Sequence, residues 1–141
     1  MVRDKYGYLY GTTMQGGAYM GGSVFRLAPD GTLTLLHSFG GDSDGGFPRA
    51  GVVRDSFGNL YGTTEYGGAF HKGTVFRLAP DGTLTVLHRF RGPDGRSPAS
   101  GVVRDSRGNL YGTTTQGGTA DRGTLYLLSW KPATPATRPT R

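Results

Sequence analysis

The chain contains no cysteine. That removes disulfides, thiolate nucleophiles and thiolate metal sites together, while leaving the compartment open. Glutamate occurs once, as Glu65, so paired-carboxylate glycoside chemistry would need an aspartate as its second member. No window carries apolar residues at i, i+3, i+4 and i+7 for long enough to predict a helix. No apolar run approaches bilayer-spanning length, and the opening MVRDKYGYLYGTT lacks the core of a signal peptide. Membrane insertion by this chain is therefore not expected.

What is present is repetition. Tyr10, Tyr61 and Tyr111 align at offsets of 51 and 50 residues, and Val24, Val75 and Leu125 fall into the same register, as do His37 and His88. A fixed period of this size points to an array of similar units that build a core by stacking. The 26 glycines and eight prolines would suggest low complexity if scattered. They recur instead at strand ends and turns, which is how a turn-rich β protein uses them.

The unit in full runs from Gly51 to Phe90 and predicts four strands: Gly51 to Asp55, Asn59 to Thr64, Thr74 to Ala79 and Thr83 to Phe90. Asp55-Ser-Phe-Gly-Asn is turn chemistry, with a carboxylate accepting from amides two residues on. Pro80-Asp81-Gly82 is a strong hairpin signal. The fourth strand is expected to alternate Leu84, Val86, His88 and Phe90 on one side with Thr85, Leu87 and Arg89 on the other. Both sides carry apolar groups, so each sheet is expected to be covered on both faces.

This predicts an all-β chain, an incomplete β-propeller-like array of about three four-stranded antiparallel blades. Residues 1–39 form a first blade with a clipped start, 40–90 a link and second blade, and 91–130 a link and third blade without its fourth strand. Residues 131–141 read as a disordered Pro/Thr-rich tail. Opening in mid-unit reads as the start of a fragment. Because a ring needs ~4 to 8 blades, either the natural protein is longer or copies self-associate to complete it.

Net charge is +6, which invites a nucleic-acid reading. Lys131, Arg138 and Arg141 in the tail supply half of it. The remaining arginines recur once per unit, as Arg26 and Arg77 or Arg54 and Arg104, without forming a basic stripe. Nucleic acid is therefore not an expected partner.

The segments LYGTT, GTVFRLAPDGTLTVLHRF and GVVRDSFGNLYGTT resemble the bacterial tandem-repeat proteins called GloVer-containing, a choice-of-anchor group, over nearly the whole chain up to Leu128. The resemblance implies an exported or surface-anchored repeat array, hence an extracellular or cell-surface location, and it implies no reaction. This chain shows neither signal peptide nor anchor, so location rests on the resemblance alone.

The candidate chemistry is thin. His37 and His88 sit at equivalent places and suggest one imidazole per blade for a metal; packed histidines bonded to a neighbouring strand fit better, since no ligand recurs beside them at metal spacing. Asp42-Ser43-Asp44-Gly45 looks like part of a calcium loop but lacks the closing acidic residue, and the second link offers only Asp94 in its place. The threonine pairs Thr12-Thr13, Thr63-Thr64 and Thr113-Thr114 recur three times, whereas a catalytic group is needed once. No metal and no cofactor are expected.

Short, near-identical turns share one rim of a meander, while the longer loops and the links between units share the other. The long loops, MQGGAYMGGS, EYGGAFHKG and TQGGTADRG, differ between copies, so the ligand surface is assigned there. Gln15, Tyr19, Glu65, Tyr66, Phe70, His71 and Gln116 are its candidate contacts, aromatic faces beside amides suited to a sugar or a peptide. The function expected is a non-catalytic scaffold for binding or surface display, with a glycan or protein as ligand. The alternative is a propeller-type lyase or glycan hydrolase, acting only within a longer or oligomeric ring.

Overall fold

A computed structural model describes residues 1–129; the expected tail and Trp130 lie outside the described residues. Among the described residues there is no helix and there are eleven strands in three antiparallel sheets. The first sheet holds β1 (Val2–Arg3), β2 (Leu9–Thr13), β3 (Ser23–Leu27) and β4 (Leu33–Ser38). The central sheet holds β5 (Val53–Arg54), β6 (Leu60–Thr64), β7 (Thr74–Leu78) and β8 (Leu84–Arg89). The third holds β9 (Val103–Arg104), β10 (Leu110–Thr113) and β11 (Leu125–Leu128). Each is a simple meander, so the blade-like array expected from the repeat is what the chain forms.

The first turn of each unit is fixed by one aspartate. Asp55 Oδ1 accepts the backbone amides of Phe57 and Asn59, both at 2.9 Å, and Oδ2 accepts the Asn59 side chain and the Tyr61 hydroxyl, both at 3.0 Å. Asp4 and Asp105 repeat the amide bonds and receive Tyr10 and Tyr111 at 3.1 Å. The recurring tyrosine thus ties the turn to the second strand, a partnership the sequence pattern did not announce.

The sheets pack face to face. Between the first and central sheets, Val24 and Phe39 meet Val52, Leu60, Phe76 and Leu78, all buried. Between the central and third sheets, Tyr61, Val75 and Phe90 meet Val102 and Leu110, with Tyr126 and Leu128 packed against them. These are the same positions one unit on. Fully burying side chains of this size contributes ~1.5–3 kcal/mol each, so the junctions supply most of the core.

The strict alternation expected of the fourth strand is not found. Phe76 pairs with Val86 and Val75 with His88, leaving Leu87 as an extra residue in a β-bulge; the first sheet does the same at Leu36. The bulge turns the strand over. Leu84 joins the junction with the first sheet, whereas Phe90 joins the junction with the third. Alternation continued through the bulge would have put both on one side.

Threonines mark the same division. Thr12 and Thr63 donate across the junctions to the carbonyls of Ala50 and Ser100, at 2.8 and 2.9 Å. The second threonine of each pair stays within its sheet: Thr64 Oγ1 lies 2.7 Å from Thr74 Oγ1, and Thr114 Oγ1 lies 2.9 Å from Thr124 Oγ1.

Candidate functional site

The long loops and the links meet at one rim, and backbone bonds hold them there. The link after the first sheet donates Phe47 N to Gly21 O of the loop behind it, at 2.7 Å, and exchanges bonds between Gly46 and Tyr66 of the loop ahead. The next link repeats this, with Ser97 N on Lys72 O at 2.9 Å and Arg96 paired with Gln116. Each link therefore bridges two neighbouring loops. The close approach requires glycine: a Cβ on Gly73, at φ +97°, would stand 2.5 Å from Thr64 O and 2.6 Å from Cδ of the buried Pro98.

On this frame the expected ligand contacts separate. Tyr19 is 70% exposed, and Gln15, Phe70, His71 and Gln116 are exposed around the same rim. Tyr66 is exposed on one side while its ring meets the edge of Phe47 at 6.1 Å. The Arg91 guanidinium lies 4.5 Å from the Phe70 ring centroid, a cation–π contact that holds the ring in place. Glu65 is different: it is 7% exposed and paired with Arg49 of the preceding link. Its carboxylate is engaged in holding loop to link, and it does not join the exposed set.

The tips share a further feature. Met20, His71 and Asp121 occupy the same place in their loops and all have positive φ, at 64°, 56° and 53°. A left-handed backbone on a side-chain-bearing residue costs free energy, so the packed link must enforce it. The Asp121 carboxyl accepts the Gly117 amide at 2.8 Å and pairs with Arg96. The amide bond first, and the arginine second, hold it below the ordinary carboxylate value. Arg91, Phe47 and Met20 belong to this rim and were not among the expected contacts. Arg91 and Phe47 lie in the links, from which no contact was chosen, and Met20 holds the loop place of His71 but is neither aromatic nor an amide.

The histidines find partners that spacing had hidden. His37 Nε2 lies 2.9 Å from Asp44 Oδ2, and His88 Nε2 lies 2.7 Å from Asp94 Oδ2. The links differ in length, so the two aspartates stand at unequal distances from their histidines and do not align. Each aspartate also accepts a backbone amide, Gly40 or Arg91, at the start of its link. Each imidazole then packs edge-on against the next aromatic: His37 on Phe39 at 4.8 Å, His88 on Phe90 at 4.7 Å. The partner is a link carboxylate, where a neighbouring strand had been expected. Among the described residues no group of three or more acidic, histidine or cysteine side chains is placed to hold a metal.

Two clefts open at the opposite rim, one at each junction. The first, about 200 Å³, is lined by Tyr10, Arg26, Leu36, Arg54, Phe57 and Pro80 among others. The second, about 600 Å³, is lined by the equivalents Tyr61, Arg77, Leu87 and Leu110, with Leu127. The recurring arginines converge here: Arg54 of the central sheet sits over the Tyr10 ring at 5.7 Å, and Arg104 of the third over Tyr61 at 5.8 Å. In both pairs the arginine of one sheet covers the tyrosine of the sheet before it, which is junction packing. Neither cleft reaches the long-loop residues.

No curated protein and no solved structure matches this chain. A family model does, over residues 1–137. Its span takes in all three sheets, the two links and the three long loops, and the chain accordingly belongs to the Gloeobacter/Verrucomicrobia repeat family.

Proposed function

We propose that this protein is a non-catalytic scaffold of propeller type that takes its ligand on the long-loop rim. The observation that carries the reading is the combination found in the three loops. Their backbones match down to the left-handed residue at Met20, His71 and Asp121, while the side chains at the tips differ. A constant frame with variable, exposed aromatic and amide groups is the arrangement of a recognition surface. Tyr19, Tyr66 and Phe70 offer ring faces, and Gln15 and Gln116 offer amides, which suits a sugar ring or an extended peptide. The one glutamate, Glu65, is buried and paired with Arg49, which favours capture over turnover. We propose an extracellular or cell-surface location, the expectation stated with the sequence.

Glycan and peptide arrays test this reading. Binders should be found, and the double substitution Tyr19→Ala with Phe70→Ala should abolish capture while leaving the melting temperature within a degree or two. The rival lyase or glycan hydrolase predicts product release from polysaccharide, lost in Glu65→Ala or His88→Ala. Turnover of that kind would overturn the scaffold reading.

A further inference from the structure

The cleft between the first and central sheets, on the short-turn rim, holds two arginines whose donors the fold leaves unused. Arg26 comes from β3 and Arg54 from β5, and both line the same space of about 200 Å³. Arg26 lies over the Tyr8 ring at 5.1 Å and Arg54 over the Tyr10 ring at 5.7 Å. Contacts of this kind use the positive charge and none of the N–H donors. Among the described residues neither arginine donates a hydrogen bond or forms an ion pair, and Arg54 Nε is buried without a partner. The long-loop rim differs: there Arg49 is paired with Glu65, and Arg96 with Asp121.

The acids of these turns are engaged at home. Asp4 accepts the amides of Tyr6 and Tyr8 and the Tyr10 hydroxyl, and Asp55 is filled in the same way by Phe57, Asn59 and Tyr61. Asp30 and Asp81 accept the amides of Thr32 and Thr83 in their own hairpins. Burial, and after it the bond to Asp4, pushes the Tyr10 phenol up, while the Arg54 and Arg26 charges oppose the rise. Both guanidinium groups therefore bear on one hydroxyl. Two half-buried positive charges with no counter-charge in contact are costly in a cleft partly screened from water, and an anion entering it removes that cost.

The rest of the lining decides what the anion carries. Leu36, Leu60, Leu78 and Pro80 line the same space, and Phe57, on the turn beside it, is 81% exposed. Arg54 reaches this wall: a Cβ on Gly58 would stand 3.3 Å from Arg54 Nη2 and 3.1 Å from Pro80 Cγ. We propose that this cleft is a second binding site, separate from the long-loop rim, for a small organic acid whose carboxylate is held by Arg26 and Arg54 and whose apolar body lies against Phe57 and the leucines. A planar carboxylate matches the guanidinium fork in a two-point bond, and Phe57 offers a ring face to a flat body. At the second junction Arg104 covers Tyr61 as Arg54 covers Tyr10, but Arg107 stands in the place of Phe57. The arginine cover recurs and the aromatic lip does not, so the site belongs to the first junction.

Benzoate, a carboxylate on a flat apolar ring, is the probe, titrated into the isotope-labelled full chain at neutral pH and followed by NMR. Amide shifts should saturate at Gly58 and Leu60 and stay flat at their equivalents Gly108 and Leu110. Benzamide, which keeps the ring and lacks the charge, and inorganic phosphate, which keeps a charge and lacks the apolar body, should both bind more weakly. Arg26→Gln and Arg54→Gln should each weaken benzoate by about tenfold or more. Arg54 also packs at the junction, so Phe57→Ala supplies a variant that leaves the fold alone: its ring is exposed, and its loss should weaken benzoate several-fold with the melting temperature and long-loop capture unchanged. No saturable shift with benzoate, equal shifts at both junctions, benzamide or phosphate binding as tightly as benzoate, or an affinity untouched by Arg26→Gln and Phe57→Ala would each overturn the proposal.

Discussion

The rim of short turns and the rim of long loops are built from the same unit, yet they are held together in different ways. At the short turns one aspartate does everything within seven residues, from Asp55 to Tyr61. At the long loops no unit is sufficient: the bonds run from a link to the loops of two neighbours, as Ser97 to Lys72 and Arg96 to Gln116. The contrast teaches where cooperativity lies. The turns of the first rim close their hydrogen bonds within their own unit, although Arg54 packs over Tyr10 across the junction there, and those of the second close only through neighbouring units.

The largest test falls on the array-dependent rim. Gly73→Ala must take a positive φ and meet Thr64 O and Pro98, and should cost about 4 kcal/mol, strain and overpacking together. Hydrogen exchange should show loosening both in its own loop and in the link around Ser97. Loosening confined to the loop would break the contrast between the rims.

Next comes Asp55→Ala, which strands two backbone amides and the buried Tyr61 hydroxyl. A loss of about 3 kcal/mol in urea unfolding is expected, with faster exchange restricted to residues 55–61. Spread into the links would contradict the local reading.

Acid should weaken the short turns through this same aspartate. Burial pushes the Asp55 carboxyl up, but the bonds from Asn59, Tyr61 and Phe57 outweigh it and hold the group below its ordinary value of 3.8. A depressed folded value gives stability that is full above the unfolded value and is lost as pH falls through the folded one. Unfolding free energy should therefore decline below about pH 4, and less steeply in Asp55→Asn, whose own turn no longer titrates.

The smallest effect is a gain. Tyr126 stands where the other sheets have Phe25 and Phe76, and its hydroxyl is buried without a partner among the described residues. Burial pushes its phenol up to about 12. Tyr126→Phe removes the unpaired group and should stabilise by about 1 kcal/mol while leaving both rims unchanged. A loss of stability would mean that the hydroxyl has a function at the junction.

Much of this was legible in the residues. Asp-x-x-Gly-Asn and Pro-Asp-Gly fix their turns locally, so the meander and the strand limits could be read to within a residue or two. The bulge at Leu87 could not, because an extra residue in a strand leaves no mark on composition and betrays itself only through its partner strand. Nor could the His88 and Asp94 pair, which joins two segments of unequal length between units. The candidate contacts were selected for variability and aromatic character. That rule collected Tyr19 and Phe70 with Glu65, whose single occurrence and loop position gave no hint that Arg49 neutralises it.

The extra residue at Leu36 and Leu87 has a consequence for how such chains lengthen. Before it the strand serves the unit behind, and after it the unit ahead, so every complete unit is shaped to stand between two others. Neither end of a row of such units can be finished by the pattern that made its middle. A duplicated copy of residues 51–100 placed after Ser100 would find both of its flanks already fitted, and the row would grow without any change to what it presents at its limits.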